Sequence, residues 1–557
     1  MPNADRRSLW YAAFLLLVFL VGCVELEDPD IWWHLRTGQL IFERGAVPRT
    51  DWFTYTNPDS PWIDLHWGFQ LIAAALWKLG GVPALVVTKS LLAVATFGVA
   101  MTAGQTMIRP RQAGKPDPRS AWQTVACWLP PLLIFSGRNQ VRPEMFSLLF
   151  LAAELTILLH AHARPRLVWL LPVIQLLWIN VHGLFVLGLV LWGCFVVGQL
   201  IQAGPGAPGR QPPGSSVANG TLTRLWTRLL PISGLMLAAT LANPYGSHGA
   251  LFPITLLARI EGPDHPFYSQ FSGEFLGIPE FVSMHGVLPL FRDLTILMLA
   301  VLFVLGLLSF VPGIPRRRFD FFRLAVFALF AWLAWKANRN AVLFALVAGT
   351  VLQANVAEWL AERPRSSRRF GLGRVLTAAA LGVLILGVPF DLLSKTKVRP
   401  GESPRLFGVR EIPRAFPHEA AEFLGREGMP RYCYALDEGA AAVYLFHNGP
   451  RRRVFADARL EVNTRATLDR YLALERLLMH GDPRVFDELT RDVSPDGEGK
   501  KEVPALLISL RYLATNPRLQ TGLASLKRFR RVYVDYVAVV FLDESEAERL
   551  GLAEVRE

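Results

Sequence analysis

Eleven apolar runs punctuate the chain up to about position 393, near 8–24, 82–105, 121–136, 144–162, 167–181, 183–203, 228–243, 290–312, 320–336, 340–357 and 375–393. They run from 15 to 24 residues, most of them long enough for a helix to cross a hydrocarbon layer about 30 Å thick. The fifth and sixth are close neighbours. The pattern predicts an α-helical polytopic membrane domain over 1–393, interrupted by one long polar loop at 25–81. That loop ends in an amphipathic stretch, "HWGFQLIAAALWKLGG", which reads as a helix lying along the interface. From about 394 the texture becomes charged and shorter in period. "PHEAAEFLGREG" reads as a helix, "RYCYAL" and "RRRVFADARL" as strands, "TRATLDRYLALERLL" as an amphipathic helix, "PALLISL" as a strand, and "RRVYVDYVAVVFLD" as one long strand or a hairpin. Residues 394–557 are therefore expected to form a small soluble α/β domain.

Composition agrees with the membrane reading. Of 557 residues 52% are hydrophobic, and mean hydropathy is +0.30. The net charge of +12 is a matter of topology. Arg6 and Arg7 precede the first run, and with alternating spans the same side collects Arg109, Arg111, Lys115 and Arg119, then Arg164 and Arg166, Arg210 and Arg224, Arg316 to Arg318, and Arg363, Arg365, Arg368 and Arg369. Basic short loops face the cytoplasm. The amino terminus is thus expected inside, and both the 25–81 loop and the carboxy-terminal domain outside. With the basic excess explained in this way, nucleic acid is not an expected partner.

Three details complete the picture. Leu20-Val21-Gly22-Cys23 has the look of a lipobox, so the first run also reads as a cleaved lipoprotein signal. Cys127, Cys194 and Cys433 are too scattered for a disulfide framework or a metal site. The stretch "AGPGAPGRQPPGSSVANG" reads as a cytoplasmic linker.

Candidate chemistry sits on the outer side. "EDPDIWWHLR" opens the long loop with Asp28, Asp30, Trp32, Trp33, His34 and Arg36; Asp51, Asp64, His66 and Trp67 follow. A carboxylate there suits general-base work on an acceptor hydroxyl, and the Asp28-Pro29-Asp30 spacing is compatible with a divalent metal ion. The plainer alternatives are helix capping by the acids and interfacial or core packing by the tryptophans. Arg138 and Arg142 in "SGRNQVRPEMF", with Lys336 and Arg339 in "WKANRNAV", carry positive charge at helix ends on the side that ordinarily lacks it. They suit a phosphate, unless they are spent on salt bridges to Glu144 or to acids of the first loop. The phosphate reading requires these cations to converge instead of pairing off at separate helix ends. His182 in "WINVHGLF" and Tyr245 in "LANPYGSHG" are further site-lining candidates, while Asn180, Asn243, Pro244 and Gly246 read as turn formers. A haem held by His34, His66 or His182 is a remoter reading.

"DPDIWWHLRTGQLIFERGAVPRTDWFTYT", followed in order by "RNQVRPEMFSLLF", "WINVHGLFVLG", "ANPYG", "YALDEGAAAVYLF" and "RRVFADARL", resembles a group of large bacterial multi-pass membrane proteins that are similar to C-type glycosyltransferases, the GT-C superfamily. The resemblance covers most of the chain. It departs in the outer domain, where Ala441, Ala442 and Ala458 stand in place of the group's "GGY" and "DGR". The resemblance implies an enzyme of the bacterial cytoplasmic membrane, acting at the outer face on a polyprenyl-phosphate sugar and a glycan, lipid or protein acceptor, with inversion. It implies Asp28 or Asp30 as general base or metal ligand, and Arg138, Arg142, Lys336 and Arg339 as stabilisers of the leaving phosphate. Trp33, His34, Asp51, His66, His182 and Tyr245 become substrate-binding candidates. A noncatalytic transporter or assembly factor for lipid-linked glycans is the alternative on the same scaffold.

Overall fold

The computed structural model describes residues 3–103, 121–203, 216–271, 273–285, 294–313, 320–362, 407–494 and 501–555. In chain order its helices are α1 (Asn3–Gly22), α2 (Asp30–Arg44), α3 (Trp67–Thr102), α4 (Ala121–Gly137), α5 (Glu144–Leu159), α6 (Leu171–Ile179), α7 (Val186–Ala203), α8 (Ser216–Leu241), α9 (Ser247–Ile260), α10 (His265–Phe271), α11 (Ile278–His285), α12 (Leu294–Phe310), α13 (Phe321–Lys336) and α14 (Ala341–Glu362). Later come α15 (His418–Leu424), α16 (Glu438–Asn448), α17 (Arg465–His480), α18 (Val485–Thr490), α19 (Leu510–Thr515), α20 (Pro517–Ser525) and α21 (Glu544–Arg549), and the strands β1 (Tyr432–Ala435), β2 (Arg453–Val454), β3 (Ala505–Ser509), β4 (Phe529–Val534) and β5 (Ala538–Asp543).

The chain divides into two compact units. One comprises Met1–Val24 with Val86–Thr396, the other Glu25–Leu85 with Lys397–Glu557. The 25–81 loop therefore groups with the carboxy-terminal residues.

The first unit is a helix bundle. Ten of the eleven apolar runs fall on helices; the eleventh, 375–393, lies outside the described residues. Among the described residues four helices are long and apolar enough to cross a membrane, Trp67–Thr102, Gly183–Gln202, Thr295–Gly313 and Asn338–Leu360, and Ser8–Gly22, Leu167–Ile179 and Leu229–Leu241 are shorter apolar helices. This is a membrane protein, with fewer full-length spans among the described residues than the apolar runs suggest. One reason is that the apolar part of α8 starts only near Leu229, after a polar first half. α14 forms the bundle centre: nearly every side chain from Ala341 to Ala354 is buried, against α4, α12 and α13. Polar ties hold it in register. Gln353 accepts from the Trp128 indole at 2.6 Å and donates to the Met101 carbonyl at 2.8 Å, while Arg323 on α13 donates to Glu358 at 2.8 Å and Asn355 at 2.9 Å. α12 instead leaves Phe303, Val304, Leu305 and Leu308 exposed, as a lipid-facing helix does. Cys23 is buried, its Sγ 3.5 Å from Ser90 Oγ.

The second unit is built on a mixed sheet in the order β2-β1-β3-β5-β4, parallel for β2-β1-β3 and antiparallel for β3-β5-β4. "RRVYVDYVAVVFLD" resolves as the β4–β5 hairpin. "RRRVFADARL" is a strand only at Arg453–Val454. Beyond Ala456 it turns inward, because Asp457 and Arg459 bond each other and Asn463 instead of a neighbouring strand. The first loop is ordered against this core. Thr54 bridges to Val454 and Leu26 to Glu411. α2 was legible only as loop; its face of Ile31, Trp32, Leu35, Leu40 and Ile41 is buried, and it packs on α16. It ends at Gly45, whose φ of 63° lets its N–H reach the Ile41 carbonyl. The amphipathic helix ends at a kink where Gly80 and Gly81 leave helical backbone, and a second helix follows over the second apolar run; α3 denotes the two together.

Candidate functional site

In the first unit the predicted cations gather. Arg138 follows the last residue of α4, and Arg142 lies in the short turn before α5. Arg138 Nε is 3.3 Å from Glu144 Oε2 and its NH2 is 3.2 Å from Glu274 Oε2; Arg142 NH1 is 2.9 Å from Glu274 Oε1. Arg339, in the turn between α13 and α14, lies over the Phe275 ring at 5.2 Å and within electrostatic reach of Glu144, Glu274, Arg138 and Arg142. Three guanidiniums thus share two carboxylates. Burial would raise the Glu274 carboxyl, but Arg142 and Arg138 outweigh it and hold it down at about 2.

A pocket opens beside this cluster, lined by Lys89, Phe135, Arg138, Asn139, Arg142 and Glu144 among others. Lys89 was missed in the sequence. It is buried on α3, and its ammonium donates to the carbonyls of Asn139 at 3.2 Å and Val24 at 3.5 Å. The signal was available: a lone lysine inside an apolar run is costly unless used. Glu274 gave no such signal, since it lies in a stretch without clear periodicity. Lys336 ends α13 as an exposed side chain and does not figure among the contacts of the cluster.

The other candidates of this unit serve structure as well. The Trp178 indole donates to Ser147 Oγ at 2.7 Å, and Ser147 Oγ is 2.7 Å from His182 Nδ1. Tyr245 is largely buried, and its N–H donates to Asn243 Oδ1 at 2.9 Å. Asn243 also donates to Thr240 and Gly246, which makes it the turn former expected; Asn180 donates to Leu176 and Ala242.

In the second unit Asp28 is buried, and its Oδ1 accepts from the Asp30 N–H at 3.2 Å, a capping contact at the start of α2. Asp30 is half-buried in the first turn. Among the described residues no group of three or more His, Cys, Asp or Glu side chains has an arrangement that could hold a metal ion. Trp32 packs edge-on against Trp77, Phe416 and His418, the core role. Trp33 lies against the His34 ring at 3.6 Å, and the Gln70 amide meets His34 Nδ1 at 3.3 Å.

Asp51 is committed to the fold. It accepts from Arg459 NH2 at 2.7 Å and from the backbone N–H groups of Phe53 and Thr54. Arg459, wholly buried, also grips Asp457 and stacks over Trp62 at 4.4 Å. Burial would raise the Asp51 carboxyl, but Arg459 outweighs it and the net effect is a lowering. His66 is more open to chemistry. Its Nδ1 is 3.6 Å from Asp64 Oδ1 and 3.8 Å from Glu461 Oε1. Burial pushes the Asp64 carboxyl up to about 6, with His66 pulling the other way.

No protein-family model matches the chain, and no curated protein does. Among solved structures, the fold is similar to the apo crystal structure of an oligosaccharyltransferase from Archaeoglobus fulgidus, with a TM-score of 0.51 at 12% identity over 94% of this chain and 73% of that one. What the two share is the fold.

Proposed function

We propose that this chain is a GT-C-type membrane glycosyltransferase that takes its sugar from a polyprenyl-phosphate carrier and transfers it, with inversion, to an acceptor at the outer face of a bacterial cytoplasmic membrane. The observation that carries the reading is one pocket lined by Lys89, Arg138 and Arg142, with Arg339 within electrostatic reach of both arginines. The likeness of fold to an oligosaccharyltransferase supports the reaction class.

The chemistry follows from charge. A leaving lipid phosphate gains negative charge as the glycosidic bond breaks, and preorganised guanidiniums stabilise that charge without reorganising. Glu274 and Glu144 hold the arginines in place before the donor arrives. Asp28 or Asp30 takes the proton of the acceptor hydroxyl, whose oxygen then attacks the anomeric carbon. Trp33, His34 and His66 offer ring faces and hydrogen bonds to a sugar. Asp51 is paired with Arg459 and serves the fold.

The test is release of free polyprenyl phosphate by the purified protein in nanodiscs, across a panel of polyprenyl-phosphate sugars. Replacement of the catalytic carboxylate, Asp28→Asn or Asp30→Asn, lowers turnover by about 10²–10⁴-fold with the fold intact. Arg142→Ala weakens it through the leaving group. Unchanged turnover in both aspartate variants sinks the assignment of the base.

A second reading has one observation in its favour. Arg138 and Arg142 are already paired with carboxylates, as they would be in a scaffold that binds lipid-linked glycans without transferring them. Donor binding without release, in wild type and variants alike, would select it.

A further inference from the structure

Among the described residues of the first unit, apart from the cation cluster, one buried acid has no use in the glycosyl-transfer reading. Glu154 lies in the third turn of α5 at 0% exposure, and neither carboxylate oxygen has a hydrogen-bond partner. Gln175 on α6, also at 0%, donates its amide to the Phe185 carbonyl at 3.2 Å and leaves its Oε1 equally unpartnered. These three oxygens surround a single point. A Cβ built on Gly188 of α7 would meet Gln175 Oε1 at 2.6 Å and the Glu154 oxygens at 2.7 and 3.0 Å. Glycine at 188 is what leaves them room.

Three acceptors facing one another inside an apolar bundle need a donor. The helices that frame them supply none. α6 and α7 contain no charged side chain, and they bury Leu171 and Leu191 alongside Leu151 and Leu155 of α5. On α5 and the elements beside it the titratable groups are Glu144 at the start of α5, His160 just after it, Lys78 and Lys89 on α3, His182 before α7, Cys194 on α7, and Glu358 and Glu362 on α14; Glu144 is on Arg138, and His160 Nδ1 is on the Thr156 carbonyl. Lys89 donates to the Asn139 and Val24 carbonyls, His182 is on Ser147, and Glu358 is on Arg323. Cys194 is half-buried, and a thiol is only a weak donor.

We infer that Glu154 is a proton-binding site within the membrane bundle: at neutral pH it is a carboxylic acid whose O–H donates to Gln175 Oε1. One proton satisfies the cluster, converting Glu154 from two acceptors into a donor and an acceptor. An intramembrane ionisable residue ordinarily marks a functional site, and its partner here is Gln175. A small cation is the competing occupant, but three oxygens are few for one.

The test uses the full chain in nanodiscs. Infrared spectra of wild type minus Glu154→Gln at pH 7 should contain the C=O band of a protonated carboxyl, shifted in Gln175→Leu as its hydrogen-bond acceptor is lost. On the wild-type protein a hydrophobic carbodiimide, which reacts with protonated acids in apolar surroundings, should label Glu154 as mapped by mass spectrometry. The inference is overturned if the difference spectrum shows ionised carboxylate bands instead. It is equally overturned if the protonated band is present only in sodium-free buffer, since the site would then take a cation.

Discussion

A guanidinium as thoroughly buried as that of Arg459 is stable only while its carboxylates remain. Breaking the group at Asp51→Asn or Asp457→Asn leaves a buried charge short of a partner, which costs about 3–5 kcal/mol; thermal unfolding of the purified protein should register it. The surface pair Arg465–Asp469 is the control, since its loss should cost no more than about 0.5 kcal/mol. Two carboxyls give opposite pH responses. Asp64 is raised from 3.8 to about 6, so its contribution to stability is complete below the lower value and is lost as pH rises through the upper; Asp64→Asn removes that dependence between about pH 4 and 6. Glu274 is lowered from 4.5 to about 2, so its contribution is present above 4.5 and disappears as pH falls toward about 2, and Glu274→Gln abolishes that loss. Titration followed by intrinsic fluorescence distinguishes the two. At this scale the sequence showed the right residue types and seldom their partners. Arg138 and Arg142 stood out by being on the wrong side for the topology rule, yet Glu274, 132 residues beyond Arg142, was invisible because nothing local marks it. Asp51 was visible and misleading, for its partner lies 408 residues away.

Elements were legible where one period dominated. The apolar runs of the bundle and strands such as "PALLISL" announced themselves, because a buried strand or span must be apolar over its length. α2 was hidden by its composition: a Asp-Pro-Asp opening and interspersed polar residues resemble a loop, although Ile31, Leu35 and Ile41 keep helical spacing. Its position is fixed by close approach, since a Cβ on Gly38 would come within 2.1 Å of the Gln70 carbonyl oxygen. Gly38→Ala should therefore push α2 away from the start of α3 and lower the melting temperature. Trp32→Ala, which empties the space against Trp77, Phe416 and Phe446, should cost about 3–5 kcal/mol in denaturant titration. The segment 451–460 was over-read as a strand, because alternation alone cannot tell a strand from a loop whose polar groups find partners inward.

For the whole molecule the charge pattern predicts on which side of the membrane each loop lies. In a background with Cys23, Cys127, Cys194 and Cys433 replaced, Pro165→Cys should react with membrane-impermeant thiol reagents only from the cytoplasmic side and Ser247→Cys only from outside. Labelling of both from one side would refute the topology. What hydropathy could not reveal is that the compact units cut across chain order, with Glu25–Leu85 belonging to the unit completed by Lys397–Glu557. That division has a consequence for biosynthesis. A ribosome adding roughly 5–20 residues per second makes Asp51 about 20–80 s before it makes Arg459, with the membrane helices emerging in between. Through that interval the first loop segment, with Trp32, Trp62 and an uncompensated Asp51, has no core to enter. The nascent chain therefore presents an unfinished, aromatic-rich surface to whatever folding factors attend the exit side of the membrane, and a chain truncated before Arg459 should be a substrate for quality-control proteolysis however well its membrane helices have been inserted.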